Sequence, residues 1–358
     1  MEFLQNTWYM AGFDFELNNT LLARRIADVP VVMWRKLDGE IVALHDVCPH
    51  RFVPLSKGQR VGDDVQCWYH GLQFDGTGKC TRIPEQDTIP KSAKVRSYPL
   101  VEKYGCAWLW LGDPRVADES MIPNYYYHNA DNWVDMGHSM LFVDGHCQLV
   151  VDNLLDLSHI ATVHARTVGN DEQTTAEIKT TTEDNSVTVA RWIEDKPPVP
   201  IWSMAFNNYK KNVDHWQNMR WEPPGYFFMD VGVTPAGRPR EEGVGILASH
   251  IIVPSHRHGC YYFWHIARQK HWGGRGLDEN MARAIDFTFH EDQAIINIQQ
   301  NLLNELKVDD LAEGYNFPLT VESDKGAIQS RRIMEQLIKA ETADIDKPQK
   351  ANLRSVNS

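Results

Sequence analysis

Four residues of this chain are spaced to hold metal. Cys48-Pro49-His50 and, further along, Cys67-Trp68-Tyr69-His70 each set one thiol and one imidazole in a tight turn containing proline or aromatic residues. Two thiolates and two imidazoles can serve two purposes. One is a single structural zinc ion in tetrahedral array. The other is a two-iron, two-sulfide cluster in which the cysteines hold one iron and the histidines the other. Ligand order separates the two. Zinc sites of this composition pair Cys with Cys and His with His across short loops, whereas here each loop carries one of each, as C-x-H and C-x-x-H. Loops approaching a diiron unit from opposite sides need that arrangement, because each supplies one ligand to each iron. The four residues therefore read as ligands of a [2Fe–2S] cluster of the Rieske type, which handles electrons one at a time.

A second set of candidate ligands is split between the middle and the end of the chain. Asp152-Asn153-Leu154-Leu155-Asp156-Leu157-Ser158-His159 is followed by His164. On a helix, Asn153, Asp156 and His159 recur at i, i+3 and i+6 and project to roughly one side. Five residues, however, leave His159 and His164 about 140° apart on a regular helix. For both to bind one ion, the helix must end or bulge near Ala161-Thr162. Taken alone, the two histidines are an ordinary polar helix face. Asp292 shifts the balance. Met281, Ile285, Phe289, Asp292 and Ile296 fall at spacings of four, four, three and four, one apolar stripe facing a core. An ionised carboxylate inside such a stripe must be neutralised, hydrogen-bonded or bound to a cation. His159, His164 and Asp292 would together make the 2-His-1-carboxylate triad of a non-haem Fe(II) oxygenase, with positions left open for O₂ and substrate. Glu291 points off the stripe and reads as solvated.

The elements that must position these residues divide in two. Residues 1–115 are short alternating runs broken by turn signals, such as Pro30-Val31-Val32-Met33-Trp34 and Glu40-Ile41-Val42-Ala43-Leu44, the pattern of an antiparallel β domain. Cys106-Ala107-Trp108-Leu109-Trp110-Leu111 is its last strand, and Gly112-Asp113-Pro114-Arg115 ends it. Residues 116–343 form the second domain. Residues 116–137 read as a connector anchored by aromatics, followed by a helix near 150–162. Strands are expected near 174–194, 201–209, 225–234, 245–253 and 259–268, and helices near 278–306 and 324–342. Residues 344–358 form a polar, frayed tail.

Composition bounds the rest. With 358 residues, 42% hydrophobic, and twelve tryptophans, there is material for two cores. A formal charge of −12 disfavours nucleic acid as a partner. No apolar run approaches the roughly 18 residues that span a bilayer, and Met1-Glu2-Phe3-Leu4-Gln5-Asn6 lacks a basic leader, so a soluble, cytoplasmic protein with no membrane partner is expected. Cys80, Cys106, Cys147 and Cys260 are scattered beside apolar residues and read as buried reduced thiols.

The cluster motif, the run Asn153 to His159 with His164, and Glu291-Asp292 together resemble the oxygenase component of Rieske non-haem iron oxygenases. The stretches Asn6-Thr7-Trp8-Tyr9-Met10-Ala11, Cys48-Pro49-His50-Arg51 and Tyr69-His70-Gly71-Leu72-Gln73-Phe74-Asp75 are similar, more narrowly, to the vanillate and dicamba O-demethylase branch. The resemblance implies an α+β protein: an N-terminal antiparallel β Rieske domain, then a helix-grip, START-like catalytic domain with a curved antiparallel sheet. It also implies a homotrimer that sets the cluster of one subunit against the iron of the next. Asp156 would lie between them, accepting hydrogen bonds from His70 and His159 across the interface, with Asn153 beside it on the same helical side. The alternative for Asp156 is a carboxylate that orients His159 alone.

No GxGxxG opens a helix after a strand, and Gly273-Gly274-Arg275-Gly276 has the wrong spacing for one. A separate reductase or ferredoxin drawing on NAD(P)H is thereby implied. Candidate pocket residues by position are Phe227, Met229 and Val231, then His250, and Ile285, Thr288 and Phe289 on the late helix. Each is more often plain core than ligand contact. His250 stands out as a polar group within an apolar strand, able to meet a substrate carboxylate or phenol. The expected activity is O₂-dependent monooxygenation of a small aromatic substrate at a methoxy carbon, giving a phenol and formaldehyde. The alternatives are ring hydroxylation and a Rieske electron carrier without a working iron site.

Overall fold

A computed structural model describes residues 3–165, 167–169, 176–205, 209–308 and 319–346. The expected tail lies outside the described residues from 347 onward.

The N-terminal domain is three small antiparallel sheets. Trp8–Phe13, Cys106–Trp110 and Leu100–Lys103 make the first, with every residue of Trp8–Phe13 and Cys106–Trp110 buried. The four short strands between Gln59 and Arg82 make the sheet nearest the two Cys/His loops. Its own core of Trp34, Leu44, Leu55, Val65 and Phe74 includes Cys48 and Cys67.

The second domain is a seven-stranded antiparallel sheet in the spatial order Trp133–Val143, Gly259–Gln269, Val244–His256, Tyr226–Pro235, Val213–Glu222, Ser186–Lys196, Lys179–Glu183. Its helices are α1 (Cys147–Leu155), α2 (Ile160–Val163), α3 (Pro200–Ala205), α4 (Arg275–Glu305) and α5 (Lys325–Asp346). Alternation along each strand gives the sheet two apolar faces. One face, with Trp221, Ile246, Ile252 and Trp264, packs with Met281, Ile285 and Phe289 of α4. The other, with Tyr226, Ile251, Val253 and Phe263, packs on Trp8, Trp108 and Trp110 of the N-terminal domain. The large sheet is thus a wall between the two domains' functional ends.

Four elements differ from the sequence expectation. The connector ends early, because Trp133–Val143 is an edge strand. A register shift between Asp135 and Gly137 breaks its alternation and hides it from a period-2 reading. Val213–Glu222 is a further strand, masked by the buried polar residues Asp214, His215 and Gln217. The strand expected at 201–209 is instead helix α3 over 200–205, opened by Pro200 at the position proline favours, while 206–208 lie outside the described residues. Helix α5 also runs to Asp346, past the expected end of the domain.

Candidate cluster and metal sites

The two Cys/His loops have the same backbone geometry despite their different spacing. Cys48 N–H donates to the Val53 carbonyl (2.9 Å) and Phe52 N–H to the Cys48 carbonyl (2.9 Å). Cys67 N–H donates to the Leu72 carbonyl (2.8 Å) and Gly71 N–H to the Cys67 carbonyl (3.0 Å). The fifth residue of each loop is left-handed, Phe52 at φ 56° and Gly71 at φ 72°, so each chain reverses tightly and its cysteine is pinned at both amide groups. The sulfurs point inward and are buried, while the His50 and His70 rings stand exposed, 4.4 Å apart between centroids. Burial pushes the Cys48 thiol up to about 11, partly offset by the His50 N–H, and the neighbouring Cys67 adds to the rise. Around the rings the tip exposes Phe52, Trp68 and Tyr69.

The mid-chain helix breaks earlier than the spacing predicts. Helix α1 stops at Leu155, Asp156 takes an extended conformation, and its carboxylate accepts the Ser158 N–H at 2.8 Å. Such Asx turns compete with helical continuation. His159 and His164 then flank the single turn α2, and their Nε2 atoms lie 3.2 Å apart. Asp292, from the stripe of α4, places Oδ1 at 3.1 Å from His164 Nε2 and 3.5 Å from His159 Nε2. Asn153 donates its amide to the same oxygen at 3.2 Å.

The far side of each ring is held as well. His159 Nδ1 bonds the backbone carbonyl of Asp156, not its carboxylate. His164 Nδ1 bonds Glu291 Oε2 at 2.9 Å, so Glu291 is no solvated bystander. On α4 adjacent residues are about 100° apart, and His164 sits between them, meeting one carboxylate at each ring nitrogen. Burial lowers His159 below its ordinary pKa against the pull of Asp292. For His164 burial acts the same way, but Asp292 and Glu291 outweigh it and hold the pKa up.

The chain matches the Rieske [2Fe-2S] domain family over residues 7–99 and the vanillate O-demethylase oxygenase C-terminal domain family over residues 143–340. It is 31% identical to the toluene-4-sulfonate monooxygenase iron-sulfur subunit TsaM1 of Comamonas testosteroni, across 95% of this chain and 98% of that one. It is 34% identical to the dicamba O-demethylase oxygenase component of Stenotrophomonas maltophilia, across 75% of this chain and 79% of that one. The chain belongs to the vanillate O-demethylase family of Rieske oxygenases. Among solved structures, dicamba monooxygenase bound to 3,6-dichlorosalicylic acid superposes with a TM-score of 0.88 at 30% identity, covering 95% of this chain and 99% of the other.

In this Rieske oxygenase the three converging side chains open directly onto a cavity of about 110 Å³. Met229, Val231, His250, Ile285, Thr288 and Phe289 all line it. Phe227 does not; it is fully buried in the core beneath. Sequence reasoning missed Trp202, His215, Gln217 and Asn218, which also line it. Of these, Gln217 was findable only with the strand Val213–Glu222 in place. Its Oε1 accepts the Nε–H of buried Arg191. Because arginine only donates, that contact fixes which end of the Gln217 amide is oxygen.

His250 Nδ1 bonds the Tyr262 hydroxyl at 2.8 Å, and its Nε2 is buried with no partner among the described residues. Burial pulls the imidazole down to about 3, so it is neutral. The Tyr262 hydroxyl finds no other acceptor among the described residues and therefore donates to Nδ1, which puts the ring proton on Nε2.

Proposed function

We propose that the chain is the terminal oxygenase of a multicomponent system that O-demethylates a methoxy-substituted aromatic acid in the cytoplasm. The observation that carries the reading is the three-donor site opening onto a small apolar cavity with a buried donor in its wall. His159, His164 and Asp292 would hold iron. Octahedral bonds of roughly 2.1 Å put adjacent ligand atoms about 3 Å apart, close to the 3.1–3.5 Å separations found. Cys48 and Cys67 would hold the inner iron of a [2Fe–2S] cluster, and His50 and His70 the outer one, in keeping with buried sulfurs and exposed rings. When bound, these groups supply O₂ activation and single electrons.

The chain's own residues shape the rest. The cavity compares with a void on the order of 150 Å³ that takes up benzene, which favours a single ring. Ile285, Phe289 and Met229 would clamp the ring faces, and His250 Nε2–H would meet an acceptor oxygen of the substrate. Oxygen insertion at a methoxy carbon held there gives a hemiacetal, which collapses to a phenol and formaldehyde.

Electrons would come from a reductase or ferredoxin fed by NAD(P)H and pass between subunits of a homotrimer. Within one chain the large sheet stands between the N-terminal domain and the triad. A groove of about 810 Å³ beside the triad has Asp156 and His159 in its lining, a place for the exposed tip of a second copy. Asp156 would then link the centres with its backbone carbonyl on His159 and its carboxylate on His70 of the partner subunit. The test is formaldehyde release with NADH consumption across methoxybenzoates and unsubstituted benzoates, with a reductase supplied. Formaldehyde matching NADH for one methoxybenzoate is expected; dihydroxylated rings without formaldehyde would replace this reading with ring hydroxylation.

A further inference from the structure

Away from both sites, a third group of side chains able to ligate a metal sits where the two domains meet. His138 and His265 are directly opposite each other on neighbouring strands, so their side chains share a face of the sheet. In a regular strand Asp135 would point to the other face. The register shift between Asp135 and Gly137 reverses the phase and brings its carboxylate round to the two rings. Asp135 Oδ2 lies 2.9 Å from His138 Nδ1, and Oδ1 lies 3.4 Å from His265 Nε2. One donor atom from each residue falls within 4.8 Å of the other two.

We propose that Asp135, His138 and His265 bind a divalent ion of the zinc class at this seam. An ion pair would need only Asp135 and His138. Here a second imidazole faces the same carboxylate, its plane 11° from that of the first. Two nitrogens and one carboxylate oxygen are a donor set for a transition-metal ion such as zinc, copper, nickel or iron(II) rather than magnesium or calcium, and zinc accepts the four-coordinate geometry with water that this site allows. The ligands are on rigid strands, and their neighbours hold them. Phe13 and Phe15 pack on the His138 ring at 4.9 and 5.6 Å, and His128 packs on His265 at 3.9 Å with the rings tilted by 31°. His128 is a wall and not a ligand, since its two nitrogens are engaged by the Tyr104 carbonyl and Ser249 hydroxyl. Asp135 and His138 are partly open to solvent, which leaves a path for the ion and room for water as a fourth ligand. All three ligands belong to the large sheet, and Phe13 of the N-terminal domain covers the His138 ring, so the ion would sit at the seam and cross-link the two strands.

The experiment uses the iron-loaded protein, equilibrated with micromolar Zn²⁺ and freed of loosely held metal. Zinc and iron are then counted for the wild type, His138→Ala and Asp135→Asn. The expected result is one added zinc per subunit with unchanged iron, lost in both variants. X-ray absorption at the zinc edge should show two imidazole nitrogens with oxygens at about 2.0–2.2 Å. Equal zinc in wild type and His138→Ala, no zinc in either, or zinc gained only as iron is lost would each overturn the site.

Discussion

The loop tip and the buried triad solve the same problem, holding donor atoms still, by opposite means. At the tip each cysteine is fixed by backbone hydrogen bonds inside its own six-residue loop, so the loop carries its geometry with it. The triad draws ligands from α4 and from the two ends of α2, and their orientation depends on Asn153, the Asp156 carbonyl and Glu291. Geometry held within one loop should fail locally. Geometry assembled from distant segments should respond to changes in residues that touch no metal.

The sharpest contrast is between one ligand from each region. If Cys67 supplies a cluster thiolate, Cys67→Ser should make visible absorption and turnover both vanish. Asp292→Ala should keep the cluster's colour, lower iron from roughly three to roughly two per subunit, and abolish product. Iron counting with absorption spectra on the two variants checks this. An Asp292→Ala protein with normal iron and activity would refute the triad.

Asp156 tests whether the two regions meet only between subunits. Asp156→Asn keeps the shape, and the backbone carbonyl that His159 uses is unaffected. Both centres should assemble, while oxidation of the pre-reduced cluster by O₂ and substrate slows by orders of magnitude in single turnover. Normal rates in this variant would place the electron path elsewhere.

How much of this was legible follows from how far each geometry reaches along the chain. The two Cys/His loops hold their cysteines through backbone bonds within six residues, so type and spacing alone pointed to them. Asp292 showed itself as a charge in an apolar stripe. Glu291 did not, because its role depends on His164, 127 residues away, lying between two adjacent positions of α4. The helix break was anticipated from the angle between the histidines but misplaced, since an Asx turn at Asp156 ends α1 first. The strand Val213–Glu222 was missed for a functional reason: it turns His215 and Gln217 toward the cavity, and inward polar residues erase the alternation that marks a strand.

Glu291→Gln should have a smaller effect than loss of a ligand. The amide can still accept from His164 Nδ1 but no longer adds charge to the ring. Loss of such an outer partner typically weakens metal binding by about 10–100-fold. Iron titration of the apo-triad should therefore shift to higher concentration with the cluster unchanged. An unchanged titration would show that Asn153 and Asp292 alone set the site.

The smallest effect is expected at the seam. The Asp135 carboxylate hydrogen-bonds His138 and raises its pKa above the ordinary imidazole value. That contribution is fully present below the unfolded value of about 6.5 and is lost as pH rises through the elevated one. For Asp135 burial pushes the pKa up, but the hydrogen bonds from His138 and His265 win and hold it well below the carboxylate range. Its contribution is present above about 3.9 and is lost only as pH falls through the depressed value. Between those limits both terms act together. Because His138 and Asp135 are a third or more exposed, solvent screening keeps the pair to no more than about 1 kcal/mol. Without added metal, the thermal midpoint of the wild type should exceed that of His138→Gln by about one to two degrees near pH 6, and by less at pH 8 to 9. A gap that widens with pH would mean that His138 is stabilising as the neutral ring, and that the Asp135 pair contributes nothing.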